Sequence, residues 1–249
     1  MKNLLFLFLA FLLGCNSHAQ NSPTTAAAKQ PVSANIDNTY PMPEGKKAVL
    51  KLPFGRTITI HSWERAELQL ITKIQTTSEE LKNLHTMDVD DNAEQLKITT
   101  NYRKDEMEKQ YSCCWCAQCD STLAGAKQKA SKWEQNCICL RVDYEVMLPA
   151  GTSLTIETIS GDIEIKGLTG ELRAKTISGF VDIDRPIKNA ATINFHSVTG
   201  EIYTDFDIPL SKNSTAYDKK VAISLNGGGT KISAESVSGD IYFRKRSQD

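Results

Sequence analysis

Beyond its first 20 residues the chain has no apolar run long enough to cross a bilayer as a helix, which excludes a helical membrane protein. It also lacks an excess of charge. Lys and Arg number 29 against 30 Asp and Glu, and loss of Lys2 with an N-terminal leader would leave 28 against 30. That balance carries no basic footprint and argues against nucleic acid as a partner. Only four histidines are present, and His61, His85 and His196 share no spacing with Cys or Asp that would make a ligand set or a catalytic pair. Cysteine is absent from residues 16–112 and from everything after Cys139, so disulfides could staple only one segment.

What is present at the N-terminus is an export signal. Lys2 precedes the apolar run Leu4 to Leu13, which has the length of a signal-peptide core. Two cleavage readings stand. Leu12-Leu13-Gly14-Cys15 has the pattern of a lipobox, in which Cys15 becomes the lipidated first residue and the leader is 1–14. Ser17-His18-Ala19 before Gln20 offers ordinary cleavage with a leader of 1–19. Residues 20–45 are rich in Ser, Thr, Ala, Pro and Asn without apolar periodicity, and read as a disordered tether.

The C-terminal half repeats one pattern: apolar-x-apolar-x-[Thr/Ser]-[Ile/Val]-[Ser/Thr]-Gly-x-[Ile/Val]-x-apolar, with Gly at 161, 179, 200 and 239. The Gly spacings of 18, 21 and 39 residues suit stacked turns of strand, the last interval holding two turns or one turn with a loop. Apolar positions before and after the Gly differ in parity, so the chain must bend at the Thr-Ile-Ser-Gly step for both halves to face inward. The echo Leu168-Thr169-Gly170-Glu171-Leu172 falls midway between two repeats and implies two strand segments per turn. On this reading Ile156, Ile163, Ile165, Ile177, Ile183, Phe195, Ile202, Val237 and Ile241 form the stacked core.

Upstream, Ala48 to Leu52, Arg56 to His61, Glu67 to Gln75 and Gln95 to Thr100 read as strands, and residues 78–84 as a short helix opened by Ser78. Asn226-Gly227-Gly228-Gly229 lacks the Lys-Ser/Thr of a phosphate loop and reads as a turn. The expected fold is all-β, a solenoid of stacked strand turns over 46–249 with a small cysteine-rich insertion at 103–140.

Phe54 to Glu64, with its strand and Trp-containing turn, and Val142 to Thr152, which leads into the repeats, resemble the bacterial putative-adhesin β-strand-repeat family, a domain of unknown function. The resemblance spans most of residues 46–245 and implies a right-handed parallel β-helix-like solenoid with a structural or binding role and no shared catalytic residue. The insertion is a departure from that family.

The insertion holds Cys113, Cys114, Cys116, Cys119, Cys137 and Cys139. In an exported chain six cysteines in a short excursion point to three disulfides, with 15 pairings open. Cys113-x2-Cys116 and Cys116-x2-Cys119 also have zinc-ligand spacing, and Cys116-Ala117-Gln118-Cys119 has redox-motif spacing. The metal or redox-sensor alternative therefore stays open.

A carbohydrate-active β-helix would need clustered carboxylates. The residues after the Gly positions, Asp162, Glu171, Phe180, Glu201 and Asp240, are interrupted by Phe180 and belong to solvent-facing corners. The expectation is an exported, non-enzymatic, adhesin-like module of the periplasm or outer surface, with no cofactor, no nucleic acid and no membrane contact beyond a lipid anchor. Its partner would be an envelope protein or glycan, and Trp115, Tyr203 and Tyr242 are the candidate anchors.

Overall fold

The computed structural model describes residues 32–76, 82–103, 140–186, 190–207 and 218–246. These residues are all-β and form one mixed sheet of fifteen strands. In chain order they are β1 (Val32–Pro41), β2 (Lys47–Lys51), β3 (Phe54–Trp63), β4 (Glu67–Thr76), β5 (His85–Asp91), β6 (Gln95–Tyr102), β7 (Leu140–Pro149), β8 (Leu154–Lys166), β9 (Leu172–Ser178), β10 (Val181–Pro186), β11 (Ala191–Ser197), β12 (Ile202–Thr204), β13 (Lys219–Leu225), β14 (Thr230–Ser238) and β15 (Ile241–Arg246). The helix expected over 78–84 lies largely outside the described residues.

The structural unit is a bent rung, and β8 shows it whole. Residues before Gly161 pair with β2 and β9, whereas those after it pair with β3 and β10. One long strand thus serves two sheet halves whose apolar faces enclose a single core. Phe195 on the first half meets Phe243 on the second, ring centroids 5.3 Å apart. Six rungs follow in space: β6/β7, β2/β3, β8, β9/β10, β14/β15 and β11/β12, with parallel pairing between neighbours. Antiparallel strands flank them: β5 on β6, β4 and then β1 on β7, and β13 on β11.

The spatial order departs from simple stacking of each turn on the last. The rung of Gly239 lies between those of Gly179 and Gly200. The 39-residue interval explains this: it contains β13, which runs back along the outer edge of β11 and returns the chain so that β14 enters between β9 and β11. At the other end β2/β3 lies between β8 and the later β6/β7.

Glycine is required at the corner. A Cβ on Gly161, Gly179, Gly239 or Gly200 would lie 2.4, 2.2, 2.0 or 2.1 Å from the carbonyl oxygen of Gly55, Gly161, Gly179 or Gly239 respectively. The register change expected at this step occurs, but one residue earlier in its inward sequence than the parity argument placed it. Thr158, Thr176, Ser197 and Ser236, three residues before each Gly, take the inward place and are buried. Their hydroxyls bond to corner carbonyls: Thr176 Oγ1 donates to Gly161 O at 3.2 Å, Ser236 Oγ to Gly179 O at 3.1 Å and Ser197 Oγ to Gly239 O at 2.9 Å.

The next two residues both lie outside the corner. Ile177 and Val237, expected in the core, are therefore exposed, as is Ile159, and Ile202 is only half-buried. Ile156, Ile163, Ile165, Ile183, Phe195 and Ile241 are buried as expected.

The expected tether also ends sooner than residue 45. Residues 32–41 pair with β4 along their whole length, Val32 opposite Thr76 and Pro41 opposite Glu67. Alternation in this strand is obscured because its inward positions carry Ala34, Ile36, Asn38 and Tyr40, a mixture with no clean apolar period.

Candidate functional site

The outer face of the second sheet half is the chemically distinctive surface. Over the last four rungs its outward positions run Asp162, Glu164, Lys166 on β8; Phe180, Asp182, Asp184 at β10; Asp240, Tyr242, Arg244 at β15; and Glu201, Tyr203, Asp205 at β12. Strand alternation puts every second side chain outward, and parallel register aligns like positions of neighbouring rungs at about 4.8 Å. The repeat thus turns a linear sequence into a grid.

Tyr203 and Tyr242, both sequence candidates, are brought together on adjacent rungs. Their rings stack with centroids 5.2 Å apart and planes inclined by 12°. Phe180 meets the Tyr242 ring edge to face at 5.9 Å. The Arg244 guanidinium lies over the Tyr242 ring at 5.0 Å, and its Nε donates to Oδ1 and Oδ2 of Asp182 at 2.9 and 3.0 Å. Hydrogen bonding to Asp182 holds the Arg244 pKa above its ordinary value. The Tyr242 hydroxyl donates to Asp240 Oδ2 at 3.0 Å, and that bond raises the phenol pKa. Tyr203, Thr204, Asp205, Tyr242 and Arg244 line one shallow, open groove.

Phe180 enters the sequence argument only as an interruption of the acidic positions, and Arg244, Asp182 and Asp205 do not enter it. Aligning the repeats on their Gly would have found them: Tyr203 and Tyr242 both stand three residues after it, Arg244 and Asp205 five after it.

Trp115, Cys113, Cys114, Cys116, Cys119, Cys137, Cys139 and Cys15 lie outside the described residues. The point from which the cysteine-rich segment departs is described. β6 and β7 are the two halves of one rung, so residues 103–139 interrupt its corner. There Tyr144 Oη lies 3.0 Å from Thr100 Oγ1 and 3.2 Å from His85 Nε2, while the Tyr102 ring packs edge-on to His85 and Phe54. Burial pushes the Tyr144 pKa up to about 12 and lowers that of His85. A Cβ on Gly55 would meet the Tyr144 ring at 3.0 Å, so this glycine leaves room for the cluster.

Among the described residues no three His, Cys, Asp or Glu side chains converge as a metal-holding group. Asp162 and Asp240 stand two rungs apart with Phe180 between them.

No protein-family model matches the chain, and no curated protein does. Among solved structures it is similar to a putative cell adhesion protein from Clostridium sporogenes, with 13% identity and a TM-score of 0.47 over 86% of this chain and 100% of that one. It is also similar to a putative adhesin from Bacteroides fragilis, with 10% identity and a TM-score of 0.25 over 87% of this chain and 99% of that one.

Proposed function

We propose that this protein is an exported, non-enzymatic binding module of the bacterial envelope, adhesin-like in role, that presents the outer face of its second sheet half to a protein or glycan. The observation that carries the reading is the stacked Tyr203–Tyr242 pair beside Arg244 on a strand-built, backbone-fixed face. Aromatic side chains anchor interfaces because they offer large area for few rotatable bonds. A face held by parallel ladders loses little conformational entropy on association. The leader and the Ser/Thr/Pro-rich residues before β1 supply export and a stand-off from the point of attachment, whether a lipidated Cys15 or a free N-terminus.

The test is a comparison of the mature protein with its Tyr203→Ala/Tyr242→Ala variant for retention on isolated envelope material. The double variant should lose retention, and Tyr203→Ala alone should weaken retention while keeping the parent's melting temperature, because Tyr203 is exposed. Depolymerisation of an envelope polysaccharide, abolished by Asp162→Asn or Asp240→Asn, would instead make the protein an enzyme.

A further inference from the structure

We propose that the outer face of the second sheet half, over its last four rungs, docks a cationic polypeptide segment, with an arginine of that segment stacked on Tyr203. The inference rests on the binding-module reading and gives its partner a chemistry.

Charge is the first observation. The twelve outward positions hold seven carboxylates, two cations and three aromatic rings. The corresponding positions of the first sheet half, Thr155 and Glu157, Arg173 and Lys175, Ser233 and Glu235, Asn194 and His196, are balanced. There Glu235 pairs with Arg173 and Lys175, and Glu157 with Lys51. In a chain that is nearly neutral overall, this face thus carries a local excess of carboxylates.

The second observation is that much of this charge is oriented and not ion-paired. Asp182 pairs with Arg244, Glu164 with Lys166 and Glu201 with Lys219, and Arg244 also feels the Asp205 carboxylate, but no described cation forms a salt bridge with Asp162, Asp184, Asp205 or Asp240. These four are instead fixed by backbone amides. Phe180 N donates to Asp162 Oδ1 at 3.1 Å, Gly167 N to Asp184 Oδ1 at 2.9 Å, Glu201 N to Asp240 Oδ1 at 2.8 Å and Lys245 N to Asp205 Oδ2 at 3.2 Å. A neutral amide orients a carboxylate without cancelling its charge, so the face is preorganised for cations.

The third observation is that the protein already displays the binding mode. Arg244 is held between the Tyr242 ring and the Asp182 carboxylate. One rung further on, Tyr203 is 49% exposed and Asp205 lies in the same groove. Among the described residues no strand follows β12 on that side, and the Tyr203 ring face turned away from Tyr242 has no described ring partner. An incoming guanidinium would repeat the internal arrangement at the end of the ladder. An anionic ligand would be repelled, and a neutral glycan would gain nothing from the density of charge.

The experiment is titration calorimetry on the full mature protein with three probes: hexa-arginine, hexaglutamate and neutral maltohexaose. Hexa-arginine should bind, its affinity should fall as salt is raised, and hexaglutamate should not bind. Tyr203→Ala should weaken hexa-arginine about threefold while Tyr203→Phe retains it. Asp205→Asn with Asp240→Asn should weaken it further, and Glu157→Gln with Glu235→Gln on the first half should leave it unchanged. Equal loss from the first-half pair, or none from Tyr203→Ala, would overturn the proposal. Binding of maltohexaose that depends on Tyr203, without such dependence for hexa-arginine, would overturn the cationic partner and keep the binding module. Indifference of all probes to every second-half variant, with loss of envelope retention also absent, would remove both.

Discussion

At the residue scale the corner is the most demanding position. Gly179 has φ of 141° and lies so close to the neighbouring rung that an added Cβ would meet Gly161 O at 2.2 Å. Both faults act together in Gly179→Ala, since an L residue is strained there and the ladder must open to admit the methyl group. The variant should lose about 3 kcal/mol of stability, read by chemical denaturation. Ile177→Thr, two residues earlier, should change stability by no more than about 0.5 kcal/mol because Ile177 is exposed.

A second residue-scale consequence concerns His85, whose burial lowers its pKa below 6.5. In the unfolded chain the imidazole takes up a proton as pH falls through about 6.5, and in the folded protein it does not until lower pH. The unfolded state then binds more protons, so stability is complete above about pH 6.5 and declines on acidification below it. Asp218, held low by hydrogen bonds from Lys220 and His196, gives stability that is present above the ordinary carboxylate range and is lost only as pH falls through that range and below it. Melting temperatures between pH 7.5 and 5 should fall, and His85→Gln should flatten that slope. An unchanged slope in the variant would place the sensitivity elsewhere.

At the element scale the cysteine-rich segment leaves and rejoins the described strands at a single rung. All seven cysteines lie outside the described strands, and no described core residue is a Cys. Its two ends are the halves of one rung, and in the adjacent rung the same corner between β2 and β3 is crossed by Leu52 and Pro53 alone. Replacing residues 104–139 by a short Gly-Ser linker should therefore leave the protein folded, with its melting temperature within a few degrees of the parent, and a thiol reductant should leave the parent's main transition in place. Loss of the transition in either case would show that the segment supports the core.

Legibility from sequence also divides at this scale. β3, β4, β6 and β8 could be read because β-branched and apolar residues alternate between recognisable turns. β1, β5 and β13 could not. They are end strands with one flank open, and their inward positions tolerate Asn38, His85 and Lys219, so the period-2 signal that burial on both flanks enforces is weak.

At the scale of the whole molecule, the corner glycines were readable because the need for them is local, one backbone against the next. The order of the rungs was not, because every rung carries nearly the same pattern and any of them would fit against any other. Among the described residues of the long interval, β13, which falls outside the repeated pattern, redirects the chain. The site followed the same division. Tyr203 and Tyr242 share a repeat position and could be singled out, whereas their stacking depends on the Gly200 and Gly239 rungs being neighbours in space. The segregation of charge onto one sheet half was likewise hidden, since alternation places opposite-facing residues side by side in the sequence.

The interior position of the β14/β15 rung also bears on when the molecule can be finished. Residues 230–246 follow residues 172–204 in the chain, yet they supply a layer flanked on both sides by those earlier residues. Until they arrive, β9 and β11 each present a strand edge with unpaired amides, a template for a neighbouring chain as much as for their own. Growth by simple addition at one end is therefore closed to this protein. A chain released early, after Gly229, would be missing a middle course of the wall rather than its coping.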